Sequence, residues 1–240
     1  MQIKDYLSQM LVCVDAVLPQ MEDILYKTPR RKVFGEDLET HLRTREVKIA
    51  VPLKFAVCGL LNHLHVEGLF RVGPAILFFK RAKNALDAGI PLAQMRATFN
   101  DPHVLTAVIK GYLRDLKDPL FCSKFSQRWA EANRKQDRDE QVKQIKKILG
   151  TLPEANKVNI GFLFQFLSKL VAEKEHNLMT TDNLAIVIGP NLLWSSDSNS
   201  DNTFSINSVV KTMIEGNSLF FVLYPFVNRT SCRGDGVLSH

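Results

Sequence analysis

The sequence has few cysteines and no long hydrophobic run. Its four cysteines are far apart and form no CxxC pair: Cys13, Cys58, Cys122 and Cys232. This spacing argues against both a zinc site and a disulfide framework. The longest uninterrupted apolar run, Leu219 to Val227, contains a proline and is well short of the roughly 20 residues that span a bilayer. We therefore expect a cytoplasmic, reducing setting and no transmembrane helix.

Familiar catalytic and cofactor motifs are also absent. The chain contains no GxxxxGK[ST] phosphate loop, no GxGxxG, no GxSxG and no HExxH. His63 and His65 fall on a predicted helix, where two residues of spacing turns the side chains about 160° apart. They cannot share a metal ion from one helical face, so we expect no metal site and no cofactor.

The composition is that of a soluble globular protein with a basic balance. The 240 residues include 31 Lys and Arg against 25 Asp and Glu, which gives a formal net charge of +6, and 45% of the residues are hydrophobic. Such a charge suits an acidic partner, whether a nucleic acid, an anionic membrane or an acidic protein. The net charge alone does not distinguish among these three kinds of partner.

Apolar residues recur at helical spacing in almost every segment and alternate in almost none, which predicts an all-α protein. The clearest helices are the stripe from Leu53 to Leu64, Pro74 to Gly89, Pro102 to about Asp118, the apolar stretch Val158 to Val171, and a short helix from Thr180 or Thr181 that Gly189-Pro190 ends. The stretch 158–171 is apolar on more than one side, so we expect it to be the central buried helix. Asn191 is expected just past a helix end.

A short loop carrying Arg71 connects the first two predicted helices. Gly68 and Gly73 bracket the loop, so a long cation is held on an exposed turn between two anchored helices. Two alternatives without a catalytic role stay open at this point. Arg71 could cap the carbonyls at the end of the first helix, or it could be a solvated loop charge.

The helix that begins at Pro102 carries a basic pair. Lys110 and Arg114 lie one turn apart on the side opposite the apolar stripe. Like charges at this spacing cost roughly 0.2–0.5 kcal/mol in an isolated helix, a penalty that Asp115 or Asp118 could offset. The alternative is an ordinary solvated basic face. The second helix adds three more cations: Lys80, Arg81 and Lys83.

Three sequence blocks together carry a family resemblance: Glu67-Gly-Leu-Phe-Arg-Val-Gly73, Lys110-Gly-Tyr-Leu-Arg-Asp-Leu116 and Asn183-Leu-Ala-Ile-Val-Ile-Gly-Pro-Asn-Leu-Leu193. In order and spacing they resemble the GTPase-activating domain of Rho-family regulators, the RhoGAP family, over roughly residues 34–221. The resemblance implies a compact helical bundle. It also implies a protein that is not itself an enzyme but supplies a catalytic arginine in trans to a GTP-loaded Rho-family small GTPase.

The resemblance assigns a role to each candidate residue. Arg71 is the arginine finger that enters the GTPase active site. Lys110 and Arg114 are the basic pair that buttresses the finger loop and binds the GTPase, and Asn191 contacts the partner's switch region. The third helix departs from the family's LPEPL ending and reads Leu116-Lys-Asp-Pro-Leu120, which puts partner preference in question.

The resemblance also divides the chain into three parts. Residues 1–33 are an N-terminal helix and basic linker, residues 34–225 the RhoGAP domain, and residues 226–240 a C-terminal tail. The segment 6–22 resembles the last helix of a BAR domain, a membrane-curving module. Peripheral membrane association of a longer protein would follow from such a module. The alternative is an extra helix packed on the domain through an apolar stripe: Leu7, Met10, Leu11, Val14 and Leu18.

Two other functions compete with GTPase activation. One is a scaffold that binds Rho-family GTPases without catalysis. The presence of all four residues, Arg71, Lys110, Arg114 and Asn191, argues against it. The other is a basic helical module that binds anionic lipid or nucleic acid through charge alone, with a steep salt dependence and no response to GTP. We expect a GTPase partner and no nucleic acid.

Overall fold

The computed structural model describes residues 32–194 and 205–221, and every regular element in these ranges is helical. The helices are α1 (Leu38–Arg45), α2 (Val51–Leu60), α3 (Ile76–Ala88), α4 (Leu92–Thr98), α5 (Pro102–Asp115), α6 (Ser126–Asn133), α7 (Arg138–Thr151), α8 (Glu154–Ala172), α9 (Lys174–Asn177), α10 (Thr181–Leu192), α11 (Asn207–Glu215) and α12 (Asn217–Phe220). A 3₁₀ turn, Ser123–Phe125, precedes α6. The all-α prediction is confirmed. The predicted N-terminal helix and C-terminal tail lie outside the described residues.

Helix α8 is the centre of the core, as its apolar stretch predicts. Its fully buried side chains point in several directions around the helix: Ile160, Leu163, Phe164, Phe166, Leu167 and Leu170. Helices α1, α2 and α11 pack against it. Near the start of the described residues, Val33 is fully buried, and its N–H, like that of Phe34, donates to Asp87 Oδ1.

Helix α5 packs against α2, α3 and α10. Its start follows the predicted signals, since the Asp101 carboxylate accepts a hydrogen bond from His103 N at 2.8 Å and Pro102 occupies the first turn. Two glycines allow close approach of its neighbours. A Cβ on Gly59 of α2 would lie 2.5 Å from Leu105 Cδ1, and one on Gly111 would lie 2.5 Å from Cζ of Phe79 of α3.

Two helix ends differ from the prediction. Helix α2 ends at Leu60, where the N–H groups of Asn62 and His63 turn back to carbonyls three residues earlier. His63 therefore lies in the connection after the helix and not on it. Helix α10 continues through Pro190 to Leu192, so Asn191 lies in its last turn. Burial of side chains on both sides of the proline stabilises the continuation against the loss of one hydrogen bond.

Cys122, in the connection before the 3₁₀ turn, is free and buried. Among the described residues, no helix is long and apolar enough to cross a membrane. Over the same ranges, no three His, Cys, Asp or Glu side chains come together as a metal site requires.

Candidate functional site

The connection between α2 and α3 makes a tight turn just before Arg71. The N–H groups of Arg71 and Val72 both donate to the carbonyl of Gly68, at 3.0 Å each. Gly68 has a φ of +73°, and a Cβ at this position would lie 3.0 Å from Val72 Cγ2. The backbone conformation therefore favours glycine, and an added Cβ would also press against the Val72 side chain.

Two buried side chains anchor this turn in the core. Leu69 and Phe70 are almost completely buried, and the Phe70 ring lies 6.3 Å from the ring of Phe166 on α8. Phe70 has a φ of +66°, a conformation that is unfavourable for a bulky residue and persists only where the surroundings impose it. The backbone that enters Arg71 is thus fixed by packing.

Arg71 itself points away from this anchored turn. Its side chain is 58% exposed, and its Nη2 lies 3.9 Å from Oε1 of Glu67, which is 64% exposed. An exposed pair at this distance contributes about 0–1 kcal/mol, so the guanidinium is free to move to another anion. No hydrogen bond joins it to a carbonyl of α2 in the part of the chain that the structure describes, which leaves the helix-capping alternative without support.

Lys110 reaches the turn from α5. Its Nζ donates a 2.7 Å hydrogen bond to the carbonyl oxygen of Phe70, the residue before Arg71. The side chain is half-buried, and burial, followed by the positive charge of Arg114, lowers the pKa of Lys110. The alternative of an ordinary solvated basic face therefore does not describe Lys110, which contacts the turn before Arg71. Of the basic pair, Arg114 is exposed and Lys110 is not.

The nearby carboxylates do not neutralise this basic pair. Asp115 binds Lys83 of α3, and Asp118 Oδ1 accepts a hydrogen bond from Ser123 N. Arg114 forms no ion pair or hydrogen bond with any described residue. The surface beside the Arg71 turn therefore keeps an excess of positive charge.

Asn191 is buried, which the sequence does not predict. Its side chain has no exposed surface, and its Nδ2 donates to the carbonyls of Val187 and Ile188, at 2.7 and 3.2 Å. Its Oδ1 is buried and has no hydrogen-bond partner among the described residues. In this conformation Asn191 is not on the surface with Arg71, and a contact with a partner requires the side chain to rotate outward.

Asn177 is a site residue that the sequence analysis misses. It is fully buried at the end of α9, and its carbonyl accepts a 3.1 Å hydrogen bond from Gly68 N. The signal that could have found it is a single asparagine three residues before the Thr180 cap, a position where its amide can close a turn. This signal is one residue without a repeating pattern, so a search for helical periodicity does not detect it.

Exposed hydrophobic side chains are concentrated around the Arg71 turn and on the adjacent α9–α10 segment. Five of the six large exposed hydrophobic side chains among the described residues are in these two places: Val72, Ile76, Leu77, Leu178 and Ile186; the sixth, Leu219, is in α12. Ile76, in the first turn of α3, is 70% exposed. Leu178 directly follows Asn177, whose carbonyl accepts a hydrogen bond from Gly68 N of the turn. Apolar side chains grouped beside exposed cations are typical of a surface that binds another protein.

The sequence profile of the RhoGAP domain matches residues 57–197, a range that contains Arg71, Lys110, Arg114 and Asn191. The chain belongs to the RhoGAP domain family, which confirms the resemblance.

Several curated proteins are similar to the chain. Human Rho GTPase-activating protein 17 is 35% identical over 192 residues, covering 80% of this chain and 22% of that protein. Human Rho GTPase-activating protein 44 is 37% identical over 191 residues, covering 79% and 23%. Rho GTPase-activating protein 92B of Drosophila melanogaster is 32% identical over 231 residues, covering 91% and 31%. The chain thus spans between about a fifth and a third of the length of these relatives.

Two solved structures are similar in fold. Human Rho GTPase activating protein 15 superposes with a TM-score of 0.74 at 26% identity, covering 80% of this chain and 93% of that one. The BH domain from GRAF, the GTPase regulator associated with focal adhesion kinase, gives a TM-score of 0.62 at 24% identity, covering 72% and 94%. The second likeness concerns the fold alone.

Proposed function

We propose that the chain binds a GTP-loaded Rho-family GTPase and accelerates GTP hydrolysis by inserting Arg71 into the partner's active site. The observation that carries this proposal is the contrast within the turn. Its backbone is fixed by Phe70 packing and by the Lys110 hydrogen bond, while the guanidinium is exposed and only loosely paired with Glu67. Membership of the RhoGAP family supports it.

The chemistry needs such an arginine. As water attacks the γ-phosphate, negative charge develops on the β–γ bridging oxygen and the γ-phosphate oxygens, and a planar guanidinium can neutralise and hydrogen-bond these atoms. An arginine finger increases the rate by about 10³–10⁵. A fixed backbone lowers the entropic cost of placing the guanidinium, and breaking the exposed pair with Glu67 costs little.

The surroundings of Arg71 give the proposed partner surface. Val72, Ile76 and Leu77 offer apolar contact area, and exposed Arg114 offers positive charge to an acidic GTPase surface. In this proposal Lys110 acts chiefly on the turn. Asn191 rotates outward to contact the partner's switch region. The chain is not an enzyme by itself, since the nucleotide and the attacking water belong to the partner.

A single-turnover GTPase assay against Rho-, Rac- and Cdc42-type partners tests the proposal. We expect the chain to accelerate hydrolysis by at least one GTPase and to bind its GTP-loaded form in preference to its GDP-loaded form. Binding to the GTP-loaded form without acceleration would indicate the non-catalytic scaffold. Binding that ignores the nucleotide and falls steeply with salt would indicate a basic module for lipid or nucleic acid.

The setting of the protein is part of the same proposal. A Rho-family partner places the chain in the cytoplasm. Membrane association would depend on the N-terminal segment, which lies outside the described residues. Fractionation of cells that express the chain with and without residues 1–31 tests this part, and an unchanged membrane fraction would exclude a contribution from that segment.

A further inference from the structure

Asn177 uses its whole side chain in buried hydrogen bonds. Its Nδ2 donates to the carbonyls of Leu64 and Leu170, at 2.7 and 2.8 Å. Its Oδ1 accepts from Met179 N at 2.8 Å, across Leu178, which has a φ of +58°. The amide therefore joins the connection after α2 and the end of α8 to the start of the segment that leads into α10.

The same residue also holds the Arg71 turn through its backbone. Gly68 N donates to the Asn177 carbonyl at 3.1 Å, and Gly68 is the residue whose own carbonyl closes the turn around Arg71. Asn177 thus contacts the connection at two points, Leu64 and Gly68, both before Arg71. Lys110 contacts it at Phe70 from the other helix, α5.

We propose that Asn177 is a positioning residue for Arg71. It fixes the N-terminal side of the turn to α8, as Lys110 fixes Phe70 to α5, so that the guanidinium enters the partner's site from a constant position. This inference rests on the proposed function. A displacement of about 1 Å at a reacting group can cost about 10²-fold in rate, so loss of one attachment should be visible in catalysis.

A second buried asparagine offers a matched control. Asn159 on α8 is also fully buried, accepts a 2.8 Å hydrogen bond from Ala50 N, and donates to the carbonyls of Lys48 and Ala155. It makes the same number and kind of side-chain hydrogen bonds as Asn177, but two of them go to the connection between α1 and α2 and the third to α8 itself. Asn159→Ala therefore reproduces the structural loss without touching the Arg71 turn.

The experiment compares single-turnover rates at saturating chain for the parent, Asn177→Ala, Asn159→Ala, Arg71→Ala and the double variant Asn177→Ala/Arg71→Ala, at a temperature below every melting transition. We expect Asn177→Ala to slow the stimulated rate by about tenfold or more and Asn159→Ala to change it by less than about twofold. In the Arg71→Ala background, Asn177→Ala should have no further effect, because it acts through Arg71. Equal effects of the two asparagine variants, or a full additional effect in the Arg71→Ala background, would overturn the proposal.

Amide hydrogen exchange of the chain alone gives a readout that needs no GTPase. In Asn177→Ala, protection of the Gly68 amide should fall by about tenfold or more, and in Asn159→Ala it should not. Retained protection in Asn177→Ala would contradict the positioning role, even if the parent chain accelerated no GTPase and the proposed function had failed. If Asn177→Ala does not fold, Asn177→Ser, which removes the same two donors but leaves a small polar group, is measured with the same expected outcomes.

Discussion

The Nζ of Lys110 lies 2.7 Å from the carbonyl oxygen of Phe70, so a half-buried cation of α5 holds the peptide that immediately precedes Arg71. Phe70 is in the left-handed region with its ring in the core, a combination that positions its carbonyl toward α5. A charge-assisted hydrogen bond to a main-chain carbonyl restrains the backbone and leaves the next side chain exposed.

The Lys110–Phe70 contact predicts that Lys110 and Arg114 have different roles. Lys110→Met keeps an apolar stem but removes the donor, so the saturating stimulated rate should fall by about tenfold or more, since hydrogen bonds to charged groups contribute about 1.5–3 kcal/mol. Arg114→Met, one turn away and exposed, should instead raise the chain concentration for half-maximal stimulation. Single-turnover titrations separate the two effects. A change confined to the half-maximal concentration for Lys110→Met would show that Lys110 binds the partner directly.

The buried Asn191 amide makes a second prediction. Its Oδ1 has no partner among the described residues, so it is available to a GTPase once the side chain rotates. Asn191→Ala should therefore raise the half-maximal concentration by about tenfold, which corresponds to about 1–2 kcal/mol of binding, with an unchanged circular dichroism spectrum. A lower melting temperature with unchanged half-maximal concentration would instead assign Asn191 a structural role in α10.

Gly68 and Gly73 provide a paired test of the turn. Gly68→Ala places a side chain at a φ of +73° and against Val72, so we expect it to lower the free energy of unfolding by about 1 kcal/mol or more and to slow the stimulated rate. A Cβ at Gly73 would meet no atom within 4 Å. Gly73→Ala should therefore leave the free energy of unfolding and the stimulated rate nearly unchanged. Urea denaturation and single-turnover rates on the two variants measure this. Equal behaviour of the two variants would mean that the tight turn does not require glycine at Gly68.

A buried histidine predicts a pH dependence of stability. The Nδ1 of His41 lies 2.7 Å from the Tyr112 hydroxyl, and burial, with a smaller effect of the Arg45 charge, lowers the pKa of His41 from 6.5 to about 4. The unfolded chain therefore binds a proton below pH 6.5 that the folded chain does not bind until about pH 4. The contribution of His41 to the free energy of unfolding is therefore present above about pH 6.5 and is lost as the pH falls toward 4.

Between pH 7 and pH 5 this histidine should lower the free energy of unfolding by about 2 kcal/mol. Urea denaturation at the two pH values measures the loss. His41→Gln should remove most of this difference, whereas His176→Gln, at an exposed histidine, should keep it. An unchanged difference in His41→Gln would assign the pH dependence to other groups.

The parts of the fold that follow from local pattern are predictable from the sequence. The Asp101-Pro102 start of α5 and the apolar stretch of α8 are periodic or capping signals within one segment. Glycines that bracket its turn single out Arg71, and the resemblance of the three sequence blocks assigns its role. The contacts that fix this turn are not predictable in the same way, because Lys110 and Asn177 bind backbone atoms of residues 40 and 109 positions away. Hydrogen bonds to a distant main chain leave no periodic trace.

The errors at α10 have a related cause. Pro190 and Gly189 are local signals for a helix end, but Ile188 and Leu192 are fully buried on either side of them, and this packing outweighs the missing N–H of proline. The continuation carries Asn191 into the last turn and buries its amide. Local propensity therefore predicts a helix end before Asn191, whereas the packing extends the helix and buries the Asn191 side chain.

The central claim is that the Arg71 guanidinium acts on the transition state of the partner's reaction. Its most direct test is the single-turnover rate and the affinity for the GTP-loaded GTPase, both measured for the parent, Arg71→Ala and Arg71→Lys. Loss of the guanidinium should slow stimulated hydrolysis by about 10³-fold or more and change affinity much less, and lysine should not restore the rate because it lacks the planar fork. A stimulated rate for Arg71→Ala equal to that of the parent would contradict the claim.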